Sequence, residues 1–153
     1  MDAETLIETI KSTLSGVHVL EASQNHFFYY HPDPDQTLDD RMPFATLMTN
    51  DDNDQASQLC RPGIYRLNIG LKPETYQRRF GKQPPMPEGN GIIQTGHDFT
   101  ALDQIMPHPV YAAMSWVCVL NPGPETSEQV MVLLQEAHQT AVRRHEARTR
   151  KGG

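Results

Sequence analysis

Twelve prolines mark most of the turns and element boundaries in this chain of 153 residues and divide it into segments. Proline has no backbone N–H and fixes φ, so it interrupts both helix interiors and central strands. Turn signals such as Ser23-Gln24-Asn25, which favours a hairpin, lie between the segments. Five apolar, β-favouring runs remain, at residues 17–22, 26–30, 44–49, 64–69 and 114–120.

Helical periodicity appears at the two ends of the chain. It predicts a helix over residues 3–14 with Asp2 as its N-cap, and a last helix that ends near Arg148. Between them, Pro73 and Gly81 bracket a short helix, and residues 99–106 are interpreted as a helical turn. This order predicts an α+β fold, an antiparallel sheet of about five strands with the N-terminal and long C-terminal helices packed on it.

The length fits one domain covering residues 1–153, with residues 143–153 as a basic helix end and tail. No apolar run approaches the ~18 residues of a membrane-spanning helix, so no membrane partner is expected. The acidic N-terminus does not resemble a secretory signal, and a cytoplasmic location is expected. Cys60 and Cys118 fit that compartment as free thiols, and a disulfide is possible only if the fold brings them together.

The charge of the chain is unevenly spread. Residues 143–151 hold five basic side chains against one carboxylate, a local charge of +4, so the total of −6 leaves −10 for the rest. A body that acidic repels phosphate backbones, which makes nucleic acid an unlikely partner. The basic segment is interpreted as the solvated last turns of a helix, where cations suit the helix dipole.

The strong catalytic and cofactor motifs are absent from the sequence, including the phosphate-binding and dinucleotide-binding glycine loops. We therefore predict no cofactor. Residues 52–54 superficially resemble a calcium loop but lack its glycine and its last glutamate, and are interpreted as a capping loop. The seven histidines could offer metal ligands, but a metal site needs three or four ligands that converge on one point, which a sequence does not show. They are interpreted as ordinary loop and strand histidines, and no metal site is predicted.

The strand candidate at residues 64–69 carries the first group of candidate site residues. Side chains alternate along a strand, so Arg66 and Asn68 share one face. A guanidinium and an amide on the same face form a donor array suited to a carboxylate or phosphate. Alternatively, Arg66 pairs with a carboxylate from a neighbouring acidic loop.

The second group surrounds His108, which lies between two prolines in the sequence PHPVY. A rigidly held imidazole suits general acid–base catalysis, so His108 is the catalytic candidate. Tyr111 and Trp116 would form the wall of a ligand pocket, and Asp98 or Asp103 would orient the imidazole. Alternatively, the prolines make a tight turn, the histidine caps a helix end and the tryptophan belongs to the core.

Four segments resemble a family of small bacterial proteins known as domain of unknown function 6194. They read PFATLMTNDD, RPGIYRLNIG, TALDQIMPHPVYAAMSWVCVLNPGPET and LLQEAHQTAVRR. The resemblance covers nearly the whole chain. It implies the architecture and the boundary of the domain, but it implies no reaction. A looser, fold-level resemblance to YjbR-type α+β domains transfers no function.

The leading hypothesis is a small-ligand-binding protein with a pocket over one face of its sheet. Arg66 and Asn68 would hold an anionic or carbonyl-bearing metabolite, and the hypothesis leaves open whether the protein turns it over. The alternative is an interaction module that uses the loops at 31–42 and 81–97, the basic tail, or an open sheet edge that pairs into a homodimer. Nucleic-acid binding is the third option.

Overall fold

The antiparallel sheet is the centre of the molecule. The computed structural model describes residues 1–33, 42–89 and 91–152, so most of the loop predicted at 31–42 lies outside the described residues. Over the described residues the elements are α1 (Ala3–Thr13), β1 (Val17–Ala22), β2 (Asn25–Tyr30), β3 (Ala45–Met48), β4 (Arg66–Gly70), α2 (Pro73–Phe80), β5 (Met106–Pro107), β6 (Trp116–Leu120) and α3 (Ser127–Gly152).

The strands follow the order β1-β2-β3-β4-β6-β5, and every neighbouring pair is antiparallel. The α+β prediction is therefore confirmed, with six described strands instead of about five. The additional strand is β5, where a helical turn over residues 99–106 was predicted, so that prediction is wrong at its end. Pro107 is tolerated there because β5 is the outer strand, and an edge position needs no second ladder hydrogen bond.

The two terminal helices also match the prediction, with one difference in length. The side chain of Asp2 accepts a hydrogen bond from the backbone N–H of Thr5 at 2.8 Å and so caps α1. The last helix continues to Gly152, beyond the predicted end near Arg148. Most of the predicted basic tail is therefore helix, since cations are favourable at a helix C-terminus.

The two faces of the sheet differ in chemistry. One face carries apolar residues such as Phe28, Leu47 and Leu67, which belong to the same core cluster as residues of α1 and α3. Residues directly opposite each other in an antiparallel ladder share a face. The register therefore places five directly paired side chains next to one another on the second face, namely Phe27, Thr46, Asn68, Cys118 and Met106. This second face positions the candidate site.

Neither cysteine forms a disulfide: Cys60 is exposed and Cys118 is buried. Among the described residues, no helix has both the length and the apolar composition that crossing a membrane requires.

Candidate functional site

A cavity of about 310 Å³ opens onto the second face of the sheet. Five residues singled out in the sequence line it together: Arg66, Asn68, His108, Tyr111 and Trp116. Strands β4 and β6 are hydrogen-bonded neighbours, and this pairing brings the two predicted groups to one place. The other lining residues are Phe27, Met42, Pro43, Thr46, Met48, Asn53, Asp54 and Met114.

Arg66 forms a buried ion pair with Asp54. Its Nη1 donates to Asp54 Oδ1 at 2.9 Å and its Nη2 donates to Oδ2 at 2.7 Å, a bidentate arrangement. The arginine side chain is 2% exposed and the aspartate side chain 12%. Asp54 is therefore the loop carboxylate that the alternative interpretation of Arg66 predicted.

The environment keeps both members of this pair charged. Burial alone would raise the pKa of Asp54, but hydrogen bonds and charge from Arg66 outweigh it and hold that pKa below its usual value. Burial alone would likewise lower the pKa of Arg66, and the aspartate more than compensates. The pair contributes no net charge to the cavity.

A short hydrogen-bonded chain extends from this pair across the sheet. Arg66 Nε donates to Asn68 Oδ1 at 2.9 Å, and Asn68 Nδ2 donates to Thr46 Oγ1 at 2.9 Å. The guanidinium also donates to Ser57 Oγ at 3.1 Å. Within the described part of the chain, one N–H of Nη2 and one N–H of Nδ2 remain for another acceptor.

His108 follows β5, and its backbone N–H donates to the carbonyl of Trp116 at 3.0 Å. Its ring nitrogen Nδ1 lies 3.0 Å from the backbone nitrogens of both Val110 and Tyr111 and accepts their hydrogens. A neutral imidazole that accepts at Nδ1 carries its own hydrogen on Nε2. The ring is thus fixed as a hydrogen-bond donor.

Burial lowers the pKa of His108 well below its usual value, the positive charge of Arg66 lowers it further, and Asp54 opposes both effects. The imidazole is therefore neutral at pH 7. A second proton on Nδ1 would face two N–H groups, so the geometry favours hydrogen-bond donation over proton transfer.

The two predicted orienting carboxylates have other partners. Asp98 accepts hydrogen bonds from the N–H and the hydroxyl of Thr100. Asp103 accepts from the backbone of Gly123 and from both the N–H and the hydroxyl of Thr126, just before α3. The orientation of His108 comes from backbone amides instead, so the assignment of Asp98 or Asp103 to this role is wrong.

Trp116 forms a wall of the cavity and depends on Gly70, its partner across β4 and β6. A Cβ built on Gly70 would lie 2.9 Å from Cε2 of the indole, so the ring occupies the space that a side chain would need. Tyr111 lies near the cavity opening with 48% of its surface exposed, and its ring centre is 5.1 Å from that of His108.

Sequence reasoning missed Thr46, Asp54 and Ser57 as members of the polar cluster. Asp54 ends the acidic run at residues 50–54, and the run was interpreted as a capping loop. The available signal was a buried-strand arginine beside an acidic loop, but five polar residues in succession gave no means of choosing one. Among the described residues, no group of three or more His, Cys, Asp or Glu side chains is arranged to hold a metal ion.

The fold and the site define an α+β protein with a polar cluster buried between its sheet and the loops that cover it. The chain belongs to DUF6194, a family of unknown function whose model matches residues 1–150, as the sequence resemblance indicated. Comparison with curated proteins and with solved structures gave no match.

The neutral state of His108 predicts a pH-dependent stability. The unfolded chain binds a proton at the ordinary pKa of about 6.5, while the folded chain binds it only at a lower pH, so the free energy of unfolding falls as pH drops below that value. The slope approaches about 1.4 kcal/mol per pH unit. We expect His108→Asn, whose Oδ1 can accept the same amide hydrogens, to show a shallower slope in urea unfolding between pH 7.5 and 5. Parallel curves would contradict the assignment.

The buried ion pair predicts strong coupling between Arg66 and Asp54. Arg66→Met leaves a carboxylate without its partner and should lower the free energy of unfolding by about 3–5 kcal/mol. The double variant Arg66→Met/Asp54→Leu should lose clearly less than the sum of the single variants. Asp52→Asn, an exposed change in the same loop, is the control. A loss below about 1 kcal/mol for Arg66→Met, typical of an exposed pair, would refute the coupling.

Proposed function

We propose that the protein binds a small ligand through a hydrogen-bond-accepting group, a carbonyl above all, in the cavity on the second sheet face. The supporting observation is that several donors line one cavity: Asn68 Nδ2, the Nε2–H of His108 and the remaining N–H of Arg66. A few fixed polar groups on otherwise apolar walls are typical of small-molecule sites.

The side chains that line the cavity indicate the chemistry of the rest of the ligand. Phe27, Met48, Met114 and Trp116 line the cavity with aromatic and thioether groups. These side chains favour a planar or apolar body, because thioethers and rings make good contacts with each other and with apolar ligands. The volume of about 310 Å³ lies near the lower end of ligand pockets and fits a small metabolite.

The ion pair bears on the choice between an anionic and a carbonyl-bearing ligand. A free guanidinium would attract an anion, but the charge of Arg66 is already balanced by Asp54 at 2.7 Å. A neutral acceptor meets the same donors without bringing an uncompensated charge into a buried site. The carbonyl therefore fits this cavity better than the anion.

Fixed donors also polarise the carbonyl that they hold, so turnover of such a compound is the enzymatic form of the same proposal. His108 would act by donating its Nε2–H and not by shuttling protons. The thiol of Cys118 is an unsuitable nucleophile, since burial raises its pKa to about 12.

The proposal is tested with a panel of small amides, ketones and aldehydes, using thermal unfolding and the fluorescence of Trp116, the single tryptophan. At least one compound should raise the Tm, as any ligand of the folded state does. Asn68→Ala should weaken its binding about tenfold through the lost hydrogen bond. The exposed Gln135→Ala should bind it like the unaltered protein. The proposal would be refuted if no compound of the panel raised the Tm, or if Asn68→Ala bound a stabilising compound as tightly as the unaltered protein does.

A homodimer is the second candidate, and the position of β1 favours it. Within the described residues β1 pairs with β2 alone and forms one edge of the sheet, six residues long. Leu20 on this strand is 44% exposed. An open edge offers unpaired backbone groups to the same strand of a second copy.

This candidate predicts a concentration-dependent mass. Size exclusion with light scattering should give twice 17.3 kDa at high concentration, and Leu20→Lys should shift the equilibrium to the monomer, because edge lysines oppose strand pairing. Val132→Lys, at another exposed apolar position, on α3, is the control and should leave the mass unchanged. A monomer at every concentration would exclude pairing through β1.

A further inference from the structure

A second hollow of about 360 Å³ lies beside the first, between the sheet and the last turns of α3. Four residues line both hollows: Met42, Pro43, Met114 and Trp116. The two spaces are therefore neighbours with a common wall. One compound long enough to pass this wall would reach both.

The second hollow is basic, in contrast to the acidic body of the chain. Arg144 and Arg148 line it, four residues apart and therefore on one face of α3. Both are exposed, and neither makes an ion pair or side-chain hydrogen bond with the described residues. Arg61 and Arg79, by contrast, donate to nearby oxygen atoms.

The rest of the lining suits an anion with an apolar or aromatic neighbour. Tyr29 and Tyr30 present aromatic rings, and Tyr30 is packed edge-on against His138 and His145. No Asp or Glu is among the described residues that line this hollow. Two guanidinium groups that make no ion pair with the described residues, beside aromatic surface, form a suitable receptor for a phosphate or carboxylate.

We propose that this second hollow is an anion subsite in which Arg144 and Arg148 hold a phosphate or carboxylate. The anion belongs to the same ligand whose carbonyl occupies the first cavity, so this assignment of the ligand rests on the proposed function. The two hollows divide the recognition between them. The inner cavity is electrically balanced and takes the neutral acceptor, and the outer hollow supplies the free positive charge.

The ligand class follows from this division. It is a small molecule with a carbonyl or similar acceptor at one end, an apolar or aromatic middle part that passes Trp116, and a phosphate or carboxylate at the other end. The indole faces both compartments, so occupation of either one should alter its fluorescence.

Three aromatic probes of similar size test the anion subsite: phenyl phosphate, benzoate and neutral benzamide. Binding is followed by the fluorescence of Trp116 and by thermal unfolding at low ionic strength. At least one anion should bind about fivefold more tightly than benzamide, the gain expected from exposed ion pairs. The preference should decline with added salt, because exposed charges are screened. Comparing phenyl phosphate with benzoate identifies which anion the subsite prefers.

Matched variants locate the effect. Arg144→Gln/Arg148→Gln should abolish the anion preference, whereas Arg143→Gln, the exposed neighbour on the same helix that does not line the hollow, should retain it. An equal affinity for the anions and benzamide in the unaltered protein, or a preference that survives the double variant, would overturn the anion subsite. The binding of benzamide, and its loss in Asn68→Ala, depend on the inner cavity alone. A failure of benzamide to bind would therefore contradict the proposed function and would be distinguished from a failure of the anion subsite.

Discussion

The bidentate pair between Arg66 and Asp54 is the interaction on which the second face of the sheet depends. Hydrogen bonds of 2.7 and 2.9 Å between the guanidinium and the Asp54 carboxylate hold the loop after β3 over β4. The polar sheet face below this loop becomes one side of a cavity. A buried guanidinium without a carboxylate would cost several kcal/mol. Arg66 Nε also donates to Asn68 Oδ1 and orients the amide, whose Nδ2 donates to Thr46. The position of Arg66 therefore determines which N–H groups remain as donors.

The difference between the two sheet faces explains why the cavity lies where it does. Helices α1 and α3 cover the apolar face and contribute Leu6, Ile10, Leu134 and other residues to the same hydrophobic core as the strands. The opposite face receives loops and turns, which cannot fill space as regularly as helices do. A cavity is the natural result where irregular cover meets a row of side chains that includes Thr46 and Asn68, and loop-covered sites of this kind carry function more often than packed cores.

Several features could be predicted from the sequence because they depend on local physics. Strand alternation placed Arg66 beside Asn68, and flanking prolines indicated a rigid His108. The sequence did not show that these two groups lie together, because their proximity depends on β4 and β6 being neighbours although 45 residues separate them. The sequence did not reveal the partner of Arg66, because three aspartates in one loop compete for that role. It did not reveal the orientation of His108 either, because two backbone amides determine it.

The amide pair on His108 has consequences beyond the position of one ring. An imidazole held at Nδ1 by a carboxylate gains basicity at Nε2, whereas one held there by N–H donors must carry its hydrogen at Nε2 and resists protonation. The same sequence position therefore supports hydrogen-bond donation where a carboxylate partner would have supported a general base. Under the proposed function, this donor character and the neutralised Arg66 favour a ligand acceptor without charge in the inner cavity. A negative charge on the proposed ligand is then best placed outside this cavity, beside Arg144 and Arg148, which make no ion pair with the described residues.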